Sequence, residues 1–124
     1  GAATLEGAID RSNRGLNKYL QTGTVLEFGV LGQTARWSIE FLDSGADGRF
    51  QNELLGVSYL IDGVRHYAGR TWRPALIRST CVGPKQAGAL EKVFQAPVMH
   101  GCKVTAVEFD ASLLSAVGGA VVRQ

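Results

Sequence analysis

The hydrophobic period changes once, early in the chain, and that change constrains the fold more than any other feature. Leu5, Ala8, Ile9, Leu16, Tyr19 and Leu20 recur at helical spacing, with Glu6, Asp10, Arg11, Arg14 and Lys18 on the remaining faces. Thr4 is placed to cap this helix, and its acids precede its cations, the order that suits the helix dipole. Thr22-Gly23 ends it, and from Thr24 the period is two. Thr24 to Leu31 reads as a strand, Gly32-Gln33 as a turn, and Arg36 to Leu42 as a second strand with Trp37, Ile39 and Phe41 on one face. A helix followed by strands at this spacing reads as an α+β domain.

The rest of the chain extends that picture. Asp43 to Gly48 is a polar, glycine-rich connection. Glu53 to Ile61, with Leu55, Val57 and Tyr59 alternating, predicts a third strand, and Val64 to Trp72 a fourth, joined by a hairpin turn at Asp62-Gly63. Ala75 to Thr80 predicts a further strand. Pro84 opens a second, shorter helix that Pro97 stops. Lys103 to Asp110 is a strand with Thr105, Val107 and Phe109 on one side. A helical turn over Ala111–Ala116 and a last short strand at Ala120–Val122 follow. The expected fold is α+β: an N-terminal helix packed on an antiparallel sheet of about four to six strands, with a second short helix before the last strands. The expected core is Trp37, Ile39, Phe41, Val57 and Tyr59, with Leu16 and Leu20 upon them.

At 124 residues the chain is expected to be a single domain, 1–124. Hydrophobic residues at 45% and charged residues at 19% exclude a disordered chain. No apolar run is long enough to span a bilayer, and no cationic segment followed by an apolar one marks a signal peptide.

Charge is balanced in total and uneven along the chain. There are 13 basic and 11 acidic residues, which is weak for a nucleic-acid domain, so nucleic acid is possible but not favoured as a partner. From Gly63 to Leu90, however, Arg65, Arg70, Arg73, Arg78 and Lys85 meet no acid. Within that stretch Arg65, His66, Tyr67, Arg70, Trp72 and Arg73 interleave guanidinium groups with aromatic rings. Such a surface takes a carboxylate, a phosphate or a stacked ring, and the same residues also suit a solvated strand face paired with Glu40 or Glu53.

Motifs that force a local sequence are absent: no phosphate-binding loop, dinucleotide fingerprint, nucleophile elbow or zincin helix. An EF-hand counted from Asp43 has Gly45 at its third position and Leu54 at its twelfth, so Glu53 misses by one. His66 and His100 lack the partners of a metal site, and no metal or cofactor is expected. Cys81 and Cys102 have neither zinc-ligand nor redox-motif spacing. They are either bridged or two buried thiols, and their places at two strand ends favour the bridge, hence an oxidising compartment.

The leading helix, the antiparallel sheet and the late cysteine pair resemble in layout the soluble part of a type IV pilin or pseudopilin, without its apolar stem; cystatin-like domains share the helix-then-sheet order. The first functional expectation is a small non-enzymatic extracytoplasmic binding protein, secreted or periplasmic: an inhibitor, an immunity-type protein or an assembly subunit. Its Arg/aromatic surface would contact an acidic protein partner. The pilin likeness implies a structural subunit instead, with self-association. A third reading is a small hydrolase or nuclease-like enzyme on an anionic substrate, with His66 and His100 as its acid–base pair.

Overall fold

A computed structural model describes residues 3–19, 23–42 and 48–117. Expectations that rest on the side chain of Leu16, on Leu20, on the connection at 43–47 and on a strand at 120–122 fall outside them. The element order is α1 (Leu5–Tyr19), β1 (Thr24–Leu31), β2 (Thr34–Phe41), α2 (Arg49–Ala68), β3 (Leu76–Arg78), α3 (Pro84–Phe94), β4 (Val98–Met99) and β5 (Thr105–Asp110), then a 3-10 helix over Ala111–Ser115. The fold is α+β, with one five-stranded sheet in the order β1-β2-β5-β3-β4. Its pairs are antiparallel except β3 with β4, which run parallel, so the sheet is mixed rather than wholly antiparallel.

Local chemistry explains the ends of the elements. Thr4 Oγ1 accepts from Gly7 N–H at 3.2 Å, capping α1, and Asp10 pairs with Arg14 at 2.7 Å one turn later. Gly83 precedes α3 and Pro84 opens it, where a missing N–H costs nothing. Gln95, in the left-handed region at φ 55°, ends that helix. Asp110 accepts from the backbone N–H of Ser112, and that bond, followed by one from the Ser112 side chain, holds its carboxyl below the usual carboxylate range.

The largest departure from expectation is α2. Residues 49–68 form one helix of 20 residues where the alternation of Leu55, Val57 and Tyr59 predicts two strands and a hairpin. Its buried residues are Glu53, Gly56, Val57, Leu60, Ile61 and Val64, a stripe at helical spacing. Leu55 and Tyr59 are exposed. The stripe packs on the inner face of the sheet, against Leu26, Ala35, Trp37, Ile39, Ile77, Val107 and Phe109, with Leu5 and Ile9 of α1 completing the core. Of the expected core, Trp37, Ile39 and Val57 are buried and Phe41 is partly buried against them. The opposite face of the sheet carries Arg36 and Arg78, both paired with Glu108 at 2.7 and 3.4 Å.

Gly63 is not a hairpin residue. A Cβ there would lie 3.1 Å from the Trp37 ring, and one on Gly56 would lie 2.9 Å from Ile39 Cγ2 and 3.1 Å from the Phe41 ring. The two glycines let α2 approach β2 closely. Gly56→Ala is therefore expected to destabilise the domain by about 1 kcal/mol or more, because overpacking of about 1–3 kcal/mol outweighs the gain in helix propensity. Urea unfolding measures it; a variant more stable than the parent would show that Ile39 yields without strain.

The cysteine expectation is also corrected. Both thiols are free. The strands do bring the two backbones together: Gly101 N–H donates to Cys81 O at 2.7 Å and Cys102 N–H to Ser79 O at 2.9 Å. The side chains have separate surroundings. Cys81 is fully buried in a small apolar cluster with Ala87 and Leu90, with Phe50, Leu54, Phe94 and Val98 packed against it. Cys102 Sγ lies 3.4 Å from Met99 O as a donor. Cys81 thus acts as a small apolar side chain beneath α3.

Candidate functional site

The Arg/aromatic segment is not a strand face. Arg65, His66 and Tyr67 belong to the last turns of α2, and Arg70, Trp72 and Arg73 to the connection that follows. Arg65 Nε donates to Trp72 O at 2.7 Å, which folds that connection back onto the helix. The Trp72 ring meets Phe109 edge-on at 5.7 Å, and Tyr67 packs against the core beside the exposed His66, ring to ring at 5.4 Å. Arg73 Nη1 donates to Gln95 Oε1 at 3.1 Å, and Arg70 is exposed. His66 and His100 are not brought together. His100 adjoins Gly101, which bonds to Cys81 beside the first turns of α2, whereas His66 lies thirteen residues beyond Glu53, roughly 20 Å along the helix axis. Among the described residues no group of three or more His, Cys, Asp or Glu side chains is placed to hold a metal ion.

The chemistry lies at the other end of α2. Glu53 is the one charged residue buried among those described, at 3% exposure. Its Oε1 accepts from Ser79 Oγ at 2.6 Å and from Thr80 N–H at 3.0 Å, and its Oε2 accepts a short bond from Thr105 Oγ1. Ser79 Oγ in turn accepts from Cys81 N–H at 3.1 Å, which directs the hydroxyl proton toward the carboxylate. Glu53 therefore ties α2 to the end of β3 and to the first residue of β5. No described cation pairs with it. A carboxylate held in the interior by neutral donors alone depends on every one of those hydrogen bonds.

Glu53 forms part of a cleft of about 180 Å³ at the end of the sheet where β2 finishes and β5 begins. β2 contributes Ile39, Glu40 and Phe41, and the first turns of α2 contribute Arg49, Asn52 and Glu53. Thr80 and the Lys103–Thr105 stretch complete the walls. Arg49 opens α2 after Gly48, which supplies no capping side chain, and the first turn carries no acid. The positive end of the helix dipole therefore faces the cleft without an acidic side chain in the first turn. Two larger concavities exist: an open groove of about 540 Å³ over the charged face of the sheet, beside Glu27, Arg36 and Glu108, and one of about 530 Å³ beside Thr4, Asp10, Asn13 and Phe28. Neither contains a buried charge.

Sequence spacing does not mark Glu53 as a site residue: it misses an EF-hand position by one and otherwise fits a cross-strand partner of the arginines. The available signal was the helical spacing of Glu53 with Val57, Leu60, Ile61 and Val64, which puts a carboxylate on the apolar stripe of a helix.

The described residues thus form a helix–sheet domain with a polar cleft at one end of its sheet. The family whose model matches residues 1–116 is described as the arabinose-binding domain of AraC transcription regulator, N-terminal, and the chain belongs to that family. None of the curated proteins matches it. Among solved structures the fold is similar to that of the transcriptional regulator CdpR from Pseudomonas aeruginosa, with a TM-score of 0.67 and 16% identity over 95% of this chain. The chain spans 38% of that protein's length.

Family membership overturns the expectation of a secreted or periplasmic inhibitor, immunity-type protein or assembly subunit that binds through an Arg/aromatic surface. The pilin-like subunit and the histidine-based hydrolase fall with it. The extracytoplasmic placement rested on a disulfide that the free thiols do not form. One expectation about partners is unaffected: among the described residues no helix is long and apolar enough to cross a membrane.

Proposed function

We propose that this chain is the effector-sensing domain of a transcription regulator that works in the cytoplasm. It binds a small molecule, and a DNA-binding part elsewhere in the protein responds to its occupancy. Family membership across residues 1–116 carries the reading. The cleft around Glu53 supports it, because a ligand there touches α2, β2, the end of β3 and the approach to β5 at once. A molecule that cross-braces four elements shifts the population of any state in which they are packed together, which is how occupancy becomes a signal.

Thermal unfolding of the chain against L-arabinose and a library of small polar metabolites tests this. A ligand of the folded state raises the midpoint with concentration, by about 2.7 kcal/mol of added stability at a hundredfold excess over Kd. At least one compound is expected to do so. A library that leaves the midpoint unmoved throughout overturns the sensing role.

A further inference from the structure

We propose that the cleft at the start of α2 takes a small zwitterion carrying both a carboxylate and an ammonium group, the chemistry of a free α-amino acid. The inference rests on the sensing role and assigns its ligand class and site. Among the described residues four ionisable side chains line the cleft: the carboxylates Glu40 and Glu53 and the cations Arg49 and Lys103. Neither Arg49 nor Lys103 is in an ion pair with any described residue. The four differ in depth: Glu53 is buried, whereas Glu40, Arg49 and Lys103 are exposed. A dipolar ligand entering from solvent meets the two cations and Glu40 at the mouth and Glu53 last.

Each end of such a ligand finds partners suited to it. Glu53 Oε1 already accepts two bonds, while Oε2 accepts one, from Thr105. A carboxylate oxygen accepts two, so one site on Oε2 remains for a donor. An ammonium there gains a charge-assisted hydrogen bond and neutralises a buried charge that no described side chain neutralises. The ligand's carboxylate then lies outward, toward Arg49, Lys103 and the acid-free first turn of α2, where the guanidinium fork and the positive end of the helix dipole both favour an anion. A neutral sugar would satisfy hydrogen bonds in the cleft but would leave Glu53 without a counter-charge.

Heteronuclear NMR titration of the 124-residue chain tests the assignment. The probes are L-alanine and L-serine, with propionate (no ammonium), ethylamine (no carboxylate) and L-arabinose (neither) as comparisons. The amino acids are expected to shift the amides of Asn52, Glu53, Thr80 and Lys103 at millimolar concentration, with each single-charge analogue binding about tenfold more weakly or worse. Arg49→Ala and Lys103→Ala change exposed residues and are expected to leave the fold intact. Each is expected to weaken amino-acid binding by about tenfold. Unchanged binding in both variants would overturn the site. Shifts at the same amides with L-arabinose and none with either amino acid would overturn the ligand class and leave the sensing role standing. No response to these probes or to any metabolite in the library removes both.

Discussion

Replacing Glu53 by alanine is expected to lower the unfolding free energy by about 3–5 kcal/mol. The carboxylate is the common acceptor for Ser79 Oγ, Thr80 N–H and Thr105 Oγ1, and alanine leaves all three donors without it. An unsatisfied buried donor costs about 1–3 kcal/mol, lessened where a water molecule enters the space vacated. Glu53→Gln separates hydrogen bonding from packing. The amide keeps one acceptor oxygen and the shape of the side chain, and a hydroxyl such as Thr105 can rotate to accept from the amide N–H. Its cost is expected near 1–2 kcal/mol. Denaturant titration distinguishes the two variants, and an alanine variant as stable as the glutamine one would show that the carboxylate is not the joint between α2, β3 and β5.

Trp37→Ala is expected to cost a similar amount, about 3–5 kcal/mol, by a different mechanism. The Trp37 ring is 2% exposed. It sits opposite Val107 and Phe28 in the sheet, packs under Gly63 of α2 and lies 6.1 Å from the Tyr59 ring. Its Nε1–H donates to Asn13 Oδ1 at 2.8 Å, so the same side chain also holds α1. Alanine opens a cavity between all three layers of contact, and α2, shaped to the indole at Gly63, cannot close it. A small domain has about 5–15 kcal/mol in total, so the variant approaches the limit of folding. Trp72 remains as the fluorescent reporter of unfolding, since its ring sits on Phe109 in the intact core. Trp37→Phe keeps most of the packing and removes the bond to Asn13, and should cost less than half as much. If both variants lose the same amount, the hydrogen bond to α1 and not the ring is what matters.

The parts of the fold that are legible in the sequence are those whose causes are local. Thr4 caps α1 because a hydroxyl reaches an amide three residues on. Pro84 starts α3 because its ring presets φ and it has no N–H to lose. The alternation of Thr105, Val107 and Phe109 sets the inner face of β5, and Trp37 and Ile39 set that of β2.

α2 is ambiguous for a physical reason. Its β-branched residues and two glycines disfavour a helix, and Leu55, Val57 and Tyr59 fit a strand as well as Val57, Leu60, Ile61 and Val64 fit a helix. Asp62-Gly63 has hairpin chemistry, yet Gly63 is required by the Trp37 ring, which comes from a residue 26 positions earlier. Burial against β2 decides between the two periods, and that contact has no local trace.

The site is less legible than the fold. A binding module needs no nucleophile or phosphate loop, so no short motif marks it. Glu53 becomes a site residue only because Ser79, Thr80 and Thr105, 26 to 52 residues away, converge on it. The free thiols follow the same rule: the neighbouring backbones of Cys81 and Gly101–Cys102 arise from pairing β3 with β4, but what surrounds each thiol arises from α3 packing over one of them.

By itself, then, the sequence determined the α+β class, the early switch from helix to strand, the start of α3 and the inner faces of β2 and β5. Capping, proline geometry and side-chain alternation act over a few residues and are written there directly. Tertiary structure decided the identity of α2, the burial of Glu53 and the cleft it floors. Each of these depends on groups distant in the chain meeting at one point, where burial energy exceeds local propensity.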